Sequence, residues 1–539
     1  MGVVFRMYNT LVKGTRLPQF LVVLCCVLGG LILGNNTLEA FSKLTLSDFH
    51  VYYYVTKAVM FLGRPEHPYG NFTPIYPYFI PPAFLLLFYP FALLPFYLSK
   101  IVWTVLNVSL LISSIVLICR LINKRITPVF WVLILAAALY YPVQFTLNDG
   151  QLNIVVLFLY TLVLYGIAKH EQTLTGLGIG LGIITKISPA IVLLYLVYKR
   201  MFLRVIIITA IFLGTLTLGT EFFVKKGINY YYVRHVLSKV SNQSGGNAWT
   251  DQSLLALIKR IDLPINKMGE SLLSYTFVGL ALLCFIYVDR KSKKGNYNLY
   301  IDFSLLVTIA VIGTGLTWFH QYTMLLLPLF IFWLLSYKMT SNKIALLGIG
   351  FIIYLLTCFN LKGKLFGYLE FNMLYGAFII LAGLLYLKTH QDKIVEVDEG
   401  KSFSLSNKVI ANIFILFFVI GLKPFNFTEH LKESRDKARI QNIKYMGSVL
   451  VKKEVKFKTG TSNSFTRSNK VDEGFILFAD GEHSKVYDKM SILYIDPINS
   501  GKFNISFKST GGSDFILYSN LESTKYKKLH SNVYSTNDN

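Results

Sequence analysis

The sequence predicts a polytopic α-helical membrane protein, about 13 transmembrane helices with interfacial helices in the first outer loop, followed by a small β-rich C-terminal domain. Three observations carry this. The chain of 539 residues is 53% hydrophobic with a mean hydropathy of +0.50. Its apolar residues come in repeated blocks near bilayer-spanning length. Lys and Arg fall largely in short loops between those blocks and in the C-terminal tail, so the formal net charge of +24 reads as topology-setting charge and implies no nucleic acid. The five cysteines all lie inside apolar runs without metal-ligand spacing, which argues against disulfides and structural zinc.

The first run, 17–34, follows Arg6, Lys13 and Arg16 and is not followed by a small-residue cleavage site, so it is expected to stay as a first span with its N-terminus inside. Further spans are expected at 100–119, 127–147, 152–168, 173–185, 189–198, 201–220, 271–288, 299–317, 321–336, 343–359, 371–387 and 408–422. The run 80–96 is kept at the outer interface, because Pro81, Pro82, Pro90 and Pro95 break a straight helix and counting it as a crossing upsets the charge bias. Residues 173–198 are read as two short helices broken at Lys186 and Pro189 rather than as one long kinked helix.

With these spans the basic loops at Arg120/Lys124/Arg125, Lys169, Lys199/Arg200/Arg204, Asp289–Lys294, Lys338/Lys343 and Lys388/Lys393 all face inside. The first loop 35–99, "NDGQLN" (148–153), "TKISP" (185–189), the long loop 221–270, "TWFHQ" (317–321) and everything after 422 then face outside. The chain is thus expected to divide at about residue 424, with 1–424 the transmembrane domain. Residues 425–539, with alternating stretches such as "EGFILFAD" and "DFILYS", form an extracytoplasmic β-rich domain. No divalent metal or cofactor is expected, because the outer loops lack a carboxylate cluster.

Asp48 follows Ser47, a good N-cap, and 48–62 can form an interfacial helix with Tyr52, Tyr53 and Tyr54 at headgroup level. Alone, Asp48 is a first-turn acid favourable to the helix dipole. The polar stretches later in the chain are more informative: "GRPEHPYGNFTPIYPYFIPP", then "GQLN" (150–153), "GLGIGLGIITKISP" (176–189), "DQSLLALIKR" (251–260) and "WFHQYTMLLLPL" (318–329). The glycines 176, 178, 180 and 182 lie inside an apolar span with no preceding soluble strand, so close helix packing fits them better than a nucleotide loop.

In these residues, scattered over roughly 40–335, the chain resembles the polyprenyl-phosphate-dependent glycosyltransferases of the GT-C superfamily. It looks most like glycosyltransferase family 87, which contains bacterial mannosyltransferases and arabinofuranosyltransferases of envelope glycolipids. The features shared are the first-loop Asp followed by Tyr and a Gly…Pro-Tyr turn, a Tyr-Pro-Pro helix, a Gly-Gln-x-Asn corner, a Gly-rich span ending in Lys-x-x-Pro, and a Trp-x-His helix start. The resemblance implies an integral protein of a bacterial plasma membrane with its active site outside. It would move a mannose-like hexose from a polyprenyl-phosphate donor to a lipid or glycan acceptor. Asp48 takes the role of catalytic base, and with one base and no covalent nucleophile the displacement inverts the anomeric centre. Lys186 and His320, with Arg234 and His235 behind them, are the candidates facing the donor phosphate.

Gln151 and Asn153 either bind sugar hydroxyls or cap the helix beginning near 152. Gln252 and Gln321 are further substrate-binding candidates. Tyr52 and Tyr76 are counted with them, although an aromatic belt suits these tyrosines better. Two departures stand out. The family's usual Asn-Gln-Ser appears as Asp251-Gln252-Ser253, and its paired histidines after the Trp appear as His320-Gln321, so donor or acceptor contacts differ there. A secondary transporter of a small solute or lipid is the alternative from another class. Against it, no expected span carries a charge near its centre, since Asp302, Lys100 and Arg204 lie near ends.

Overall fold

The computed structural model describes residues 16–42, 47–61, 78–123, 129–200, 203–237, 251–261, 264–293, 295–358, 370–395, 407–422, 477–479, 515–519 and 527–530. The chain divides into two units. The first comprises Met1–Phe41, Phe79–Phe88 and Val102–Pro424, and the second Ser42–Tyr78, Tyr89–Ile101 and Phe425–Asn539.

In chain order the helices are α1 (Arg16–Ser42), α2 (Ser47–Phe61), α3 (Ala83–Leu93), α4 (Phe96–Asn123), α5 (Val129–Leu139), α6 (Tyr141–Asp149), α7 (Asn153–Ala168), α8 (Gln172–Thr185), α9 (Ile191–Tyr198) and α10 (Leu203–Phe223). After a short turn Ile228–Tyr231 and a π-helical turn Tyr232–Leu237 come α11 (Leu254–Ile261), α12 (Lys267–Lys291), α13 (Asn298–Gly313), α14 (Leu326–Tyr337), α15 (Lys343–Cys358), α16 (Asn372–Thr389) and α17 (Asn407–Gly421).

Among the described residues six helices are long and apolar enough to cross a membrane, or seven if the bent pair α5–α6 counts as one span. The protein is an integral membrane protein, and its apolar side chains Leu203, Ile211, Leu218, Leu272 and Leu283 on α10 and α12 are exposed, as suits contact with lipid. About 13 crossings were expected, two of them short. Several of those runs instead form helices of 10–17 residues, reaching roughly 15–26 Å at 1.5 Å per residue, short of the ~30 Å hydrocarbon core. The run 127–147 breaks at Tyr140, with Pro142 in the first turn of α6 and a bend of 60°. The run 80–96 holds only the 11-residue α3, with Pro90 inside it.

The expected break in 173–198 is present: α8 ends at Thr185, Lys186 is extended, and a 3₁₀ turn Ser188–Ala190 leads into α9. The glycines of α8 are packed as expected. A Cβ on Gly176 or Gly180 would meet Ile208 at 2.8 Å or Phe212 at 2.6 Å on α10, and one on Gly178 would meet Val163 of α7 at 2.9 Å. Gly180→Val is therefore expected to destabilise the protein by about 1–3 kcal/mol through overpacking, read as a lower melting temperature in detergent.

Two polar layers cap the first unit's helices at opposite ends. In one, Lys388 Nζ binds Asp289 Oδ1 at 2.8 Å, Asp302 Oδ1 and Asn298 Oδ1. In the same layer Lys199 Nζ meets Asp289 Oδ2 at 2.7 Å and Asp302 Oδ2 at 3.2 Å. Tyr198 and Tyr195 donate to Asp289 and Asp302. These groups come from loops that the charge pattern placed on one side. They lie at helix ends and balance one another, unlike the mid-span charge of an ion-coupled transporter. Lys388→Met removes the buried cation between two carboxylates, and a loss of about 3–5 kcal/mol in unfolding stability is expected, measured by thermal or denaturant unfolding in detergent. Helices α13 and α14 run from this layer to the other one, which contains the candidate site.

In the second unit α2 packs its aromatic residues around Phe96. The rings of Phe49, His50 and Tyr53 lie 5.6, 4.4 and 5.2 Å from it, and Tyr53 donates to the Leu94 carbonyl at 2.8 Å. Tyr52 and Tyr53 are thus buried rather than spread at a headgroup surface, and the Tyr53 ring fills the contact that fixes α2. The described part of the C-terminal region is an antiparallel sheet of β1 (Leu477–Ala479), β2 (Phe515–Ser519) and β3 (Lys527–His530), in the order β1-β2-β3. The expected β-rich domain as a whole lies outside the described residues.

Candidate functional site

The site begins at the "GQLN" corner. α6 ends on Gly150, whose φ of +67° and ψ of +33° require the left-handed region that glycine enters without strain. The amides of Gly150 and Gln151 close on Leu147 and Thr146, and Trp103 Nε1 donates to the Gly150 carbonyl at 2.9 Å. This sharp reversal places Asn153, fully buried, in the first turn of α7. Its side chain does not cap that helix. It accepts a hydrogen bond of 2.7 Å from Lys186 Nζ instead.

Lys186 stands where α8 has stopped and the chain is extended, at φ −160° and ψ 137°. Pro189, three residues on, cannot continue the ladder, so the break is written into the sequence. The charge of Lys186 also acts on His320. His320 is buried, stacks on Phe145 at 5.8 Å and meets Trp318 edge-on at 5.5 Å. Its carbonyl accepts from Thr146, which also pairs with Thr323 at 3.0 Å. Asn153, Lys186 and His320 therefore form one cluster drawn from three separate stretches of sequence.

The "DQS" segment is joined to the same place. Asp251 Oδ1 accepts from the backbone N–H groups of Ser253 at 3.0 Å and Thr317 at 3.1 Å. The Gln252 N–H donates to the Thr317 carbonyl at 2.7 Å, and Tyr322 donates to the Gln252 carbonyl at 2.9 Å. The side-chain amide of Gln252 donates to the Glu370 carbonyl at 2.6 Å, so it links protein segments. Burial pushes the Asp251 carboxyl above its usual range, an effect reduced by the Ser253 and Thr317 donors. A raised folded-state value gives stability that is present below the unfolded-state value and lost as pH rises through the folded one. Asp251→Asn should therefore remove one pH-dependent component from the melting temperature, measured by titrating wild type and variant from acid to neutral pH.

Among the described residues, Asn153 Nδ2, His320 Nδ1 and Gln321 Oε1 are buried without a hydrogen-bond partner. Such atoms cost about 1–3 kcal/mol each unless something satisfies them. Their mixture of donors and acceptors, beside the Lys186 cation, suits a ligand bearing hydroxyls and a negative charge.

Arg234 and His235 are exposed on the π-helical turn, where Arg234 bonds Tyr230 and His235 packs on Tyr231 at 4.8 Å. Gln151 is buried at the corner. Asp48 is half-buried in the first turn of α2, and Tyr52 lies on the same helix in the second unit. Tyr76 lies outside the described residues. Sequence reasoning missed Tyr322, Thr146 and the clasp made by Asp251. The signal for the last was present: Asp-x-Ser before an apolar helix is an Asx turn feeding an N-cap, and Ser253 Oγ indeed accepts from the Ala256 N–H at 3.1 Å.

Residues 78–312 match Glycosyltransferase family 87. The chain is a glycosyltransferase, similar over this stretch to family 87. The match includes Asn153, Lys186 and Asp251 and stops short of Asp48 and His320. This glycosyltransferase is 26% identical over 321 residues, 57% of its own length and 70% of the relative's, to a polyprenol-phosphate-mannose-dependent alpha-(1-2)-phosphatidylinositol pentamannoside mannosyltransferase of Mycobacterium tuberculosis strain CDC 1551 / Oshkosh. It is 24% identical over 310 residues, 54% of its length and 71% of the relative's, to a polyprenol-phosphate-mannose-dependent alpha-(1-2)-phosphatidylinositol mannoside mannosyltransferase of M. tuberculosis strain ATCC 25618 / H37Rv. No solved structure matches the chain significantly.

Proposed function

We propose that this membrane glycosyltransferase moves a mannose-like hexose from a polyprenyl-phosphate donor to a glycolipid or glycan acceptor at the outer face of a bacterial plasma membrane. The observation that carries the reading is the Lys186–Asn153 hydrogen bond of 2.7 Å, at the corner whose Thr146 also holds the His320 carbonyl. It sets a half-buried cation against a buried amide, and the relatives' names specify polyprenol-phosphate-mannose dependence.

Breaking the bond between the anomeric carbon and the phosphate oxygen leaves the electron pair on the polyprenyl phosphate, whose charge grows. Lys186 stabilises that charge, and His320 Nδ1 supplies a further hydrogen-bonding group. The acceptor hydroxyl attacks the anomeric carbon from the opposite side and gives its proton to Asp48, so the configuration inverts. Asn153 and Gln321 bind sugar hydroxyls in this scheme.

Purified protein in proteoliposomes, given radiolabelled polyprenyl-phosphate mannose and a lipid extract, tests it. Label passing into glycolipid supports the reading. Absence of transfer across acceptor extracts, together with ion-gradient-driven solute uptake, would replace it with the transporter.

A further inference from the structure

We propose that Asp251 is a positioning residue for the transfer reaction, acting through His320. This rests on His320 facing the donor phosphate in the proposed transfer.

The Asp251 segment forms a single antiparallel bridge with Trp318, and its bonds fall on both sides of His320 in sequence. On one side Asp251 Oδ1 holds the Thr317 N–H and the Gln252 N–H holds the Thr317 carbonyl. On the other, Tyr322 is held by the Gln252 carbonyl. Gln252 is itself tied to Glu370, so the clasp is anchored outside the segment it holds. Between the two attachments the chain forms the short 3₁₀ stretch Phe319–Leu325, a geometry with weaker hydrogen bonds than an α-helix and more dependent on outside support. His320 lies in its first turn, and Trp318, the bridge partner of Asp251, packs edge-on against the His320 ring. Releasing Oδ1 from Thr317 therefore frees the residue pair that sets the ring's direction.

The interaction needs an acceptor oxygen of this reach and not a charge. Asn offers the same Oδ1. Ala offers none, and Ser keeps the local turn to Ser253 while its shorter side chain gives up Thr317.

The test compares steady-state transfer from polyprenyl-phosphate mannose for wild type, Asp251→Asn, Asp251→Ala, His320→Ala and the Asp251→Ala/His320→Ala double variant in proteoliposomes. Asp251→Ser replaces the alanine variant if the latter does not fold. Asp251→Ala is expected to lose about tenfold to a hundredfold in kcat/KM, the scale of a small misplacement of a catalytic group. Asp251→Asn is expected to stay within about threefold of wild type, and Asp251→Ala to add little once His320 is gone. Wild-type kinetics in Asp251→Ala, an asparagine variant as impaired as the alanine one, or losses that multiply in the double variant would each overturn the proposal. If His320→Ala is impaired while Asp251→Ala is normal, this proposal alone fails. If His320→Ala is normal, the phosphate role of His320 fails and takes the proposal with it.

Discussion

Replacing Lys186 with Met is expected to lower transfer by about 10²–10³-fold, the scale found when one preorganised stabiliser of transition-state charge is removed. Methionine keeps the length and apolar character of the stem, so packing should survive and the melting temperature should change little. The ammonium would be lost, and with it the bond to Asn153 Oδ1. The phosphate gains charge only as the glycosidic bond breaks, so kcat should fall more than KM rises. A lysine that only snorkels from the end of α8 would give the opposite result, a variant with wild-type kinetics. Initial-rate measurements over a range of donor concentrations separate the two.

Replacing Asp48 with Asn is expected to cost about 10²–10⁴-fold in kcat, the range for loss of a general acid–base group. Asparagine is isosteric and serves well at a helix N-terminus, so α2 should form and keep its packing around Phe96. A residue that served only the helix dipole would lose no more than about 1 kcal/mol of stability and no activity. The pH profile adds a second readout. With Asp48 as base, wild-type kcat/KM should fall as acid protonates the carboxylate, and the residual activity of the variant should lack that limb.

Much of the site was legible because local rules wrote it. Gly150 at a helix end, the Lys-Ile-Ser-Pro break after α8 and the α8 glycines are decisions of a few neighbouring residues, and the structure keeps each of them. Tyr52 and Tyr53 were misjudged because a tyrosine at a lipid interface and one inside a helix contact look alike in sequence. Only the Tyr53 bond to Leu94 and the ring of Phe96 tell them apart. Which apolar runs form a long straight helix was hidden for a related reason, since an apolar run does not reveal whether it will break, as 127–147 does at Tyr140.

Long-range pairings were beyond the reach of one sequence. Asp251 meets Thr317 across 66 residues, and the Lys199–Lys388–Asp289–Asp302 layer gathers charges that loop counting could assign only to a side. That the Lys186 amine would sit on Asn153, 33 residues away, follows from α7 and α8 packing antiparallel through Gly178. The sequence showed both residues but not their contact.

The most direct test of the account is a side-by-side transfer assay in proteoliposomes containing wild type or Asp48→Asn, with radiolabelled mannose offered either on polyprenyl phosphate or on a nucleotide. The account predicts label in glycolipid from the lipid-linked donor alone, and only with the wild-type chain. Wild-type rates in a well-folded Asp48→Asn protein, or transfer from the nucleotide donor, would contradict it.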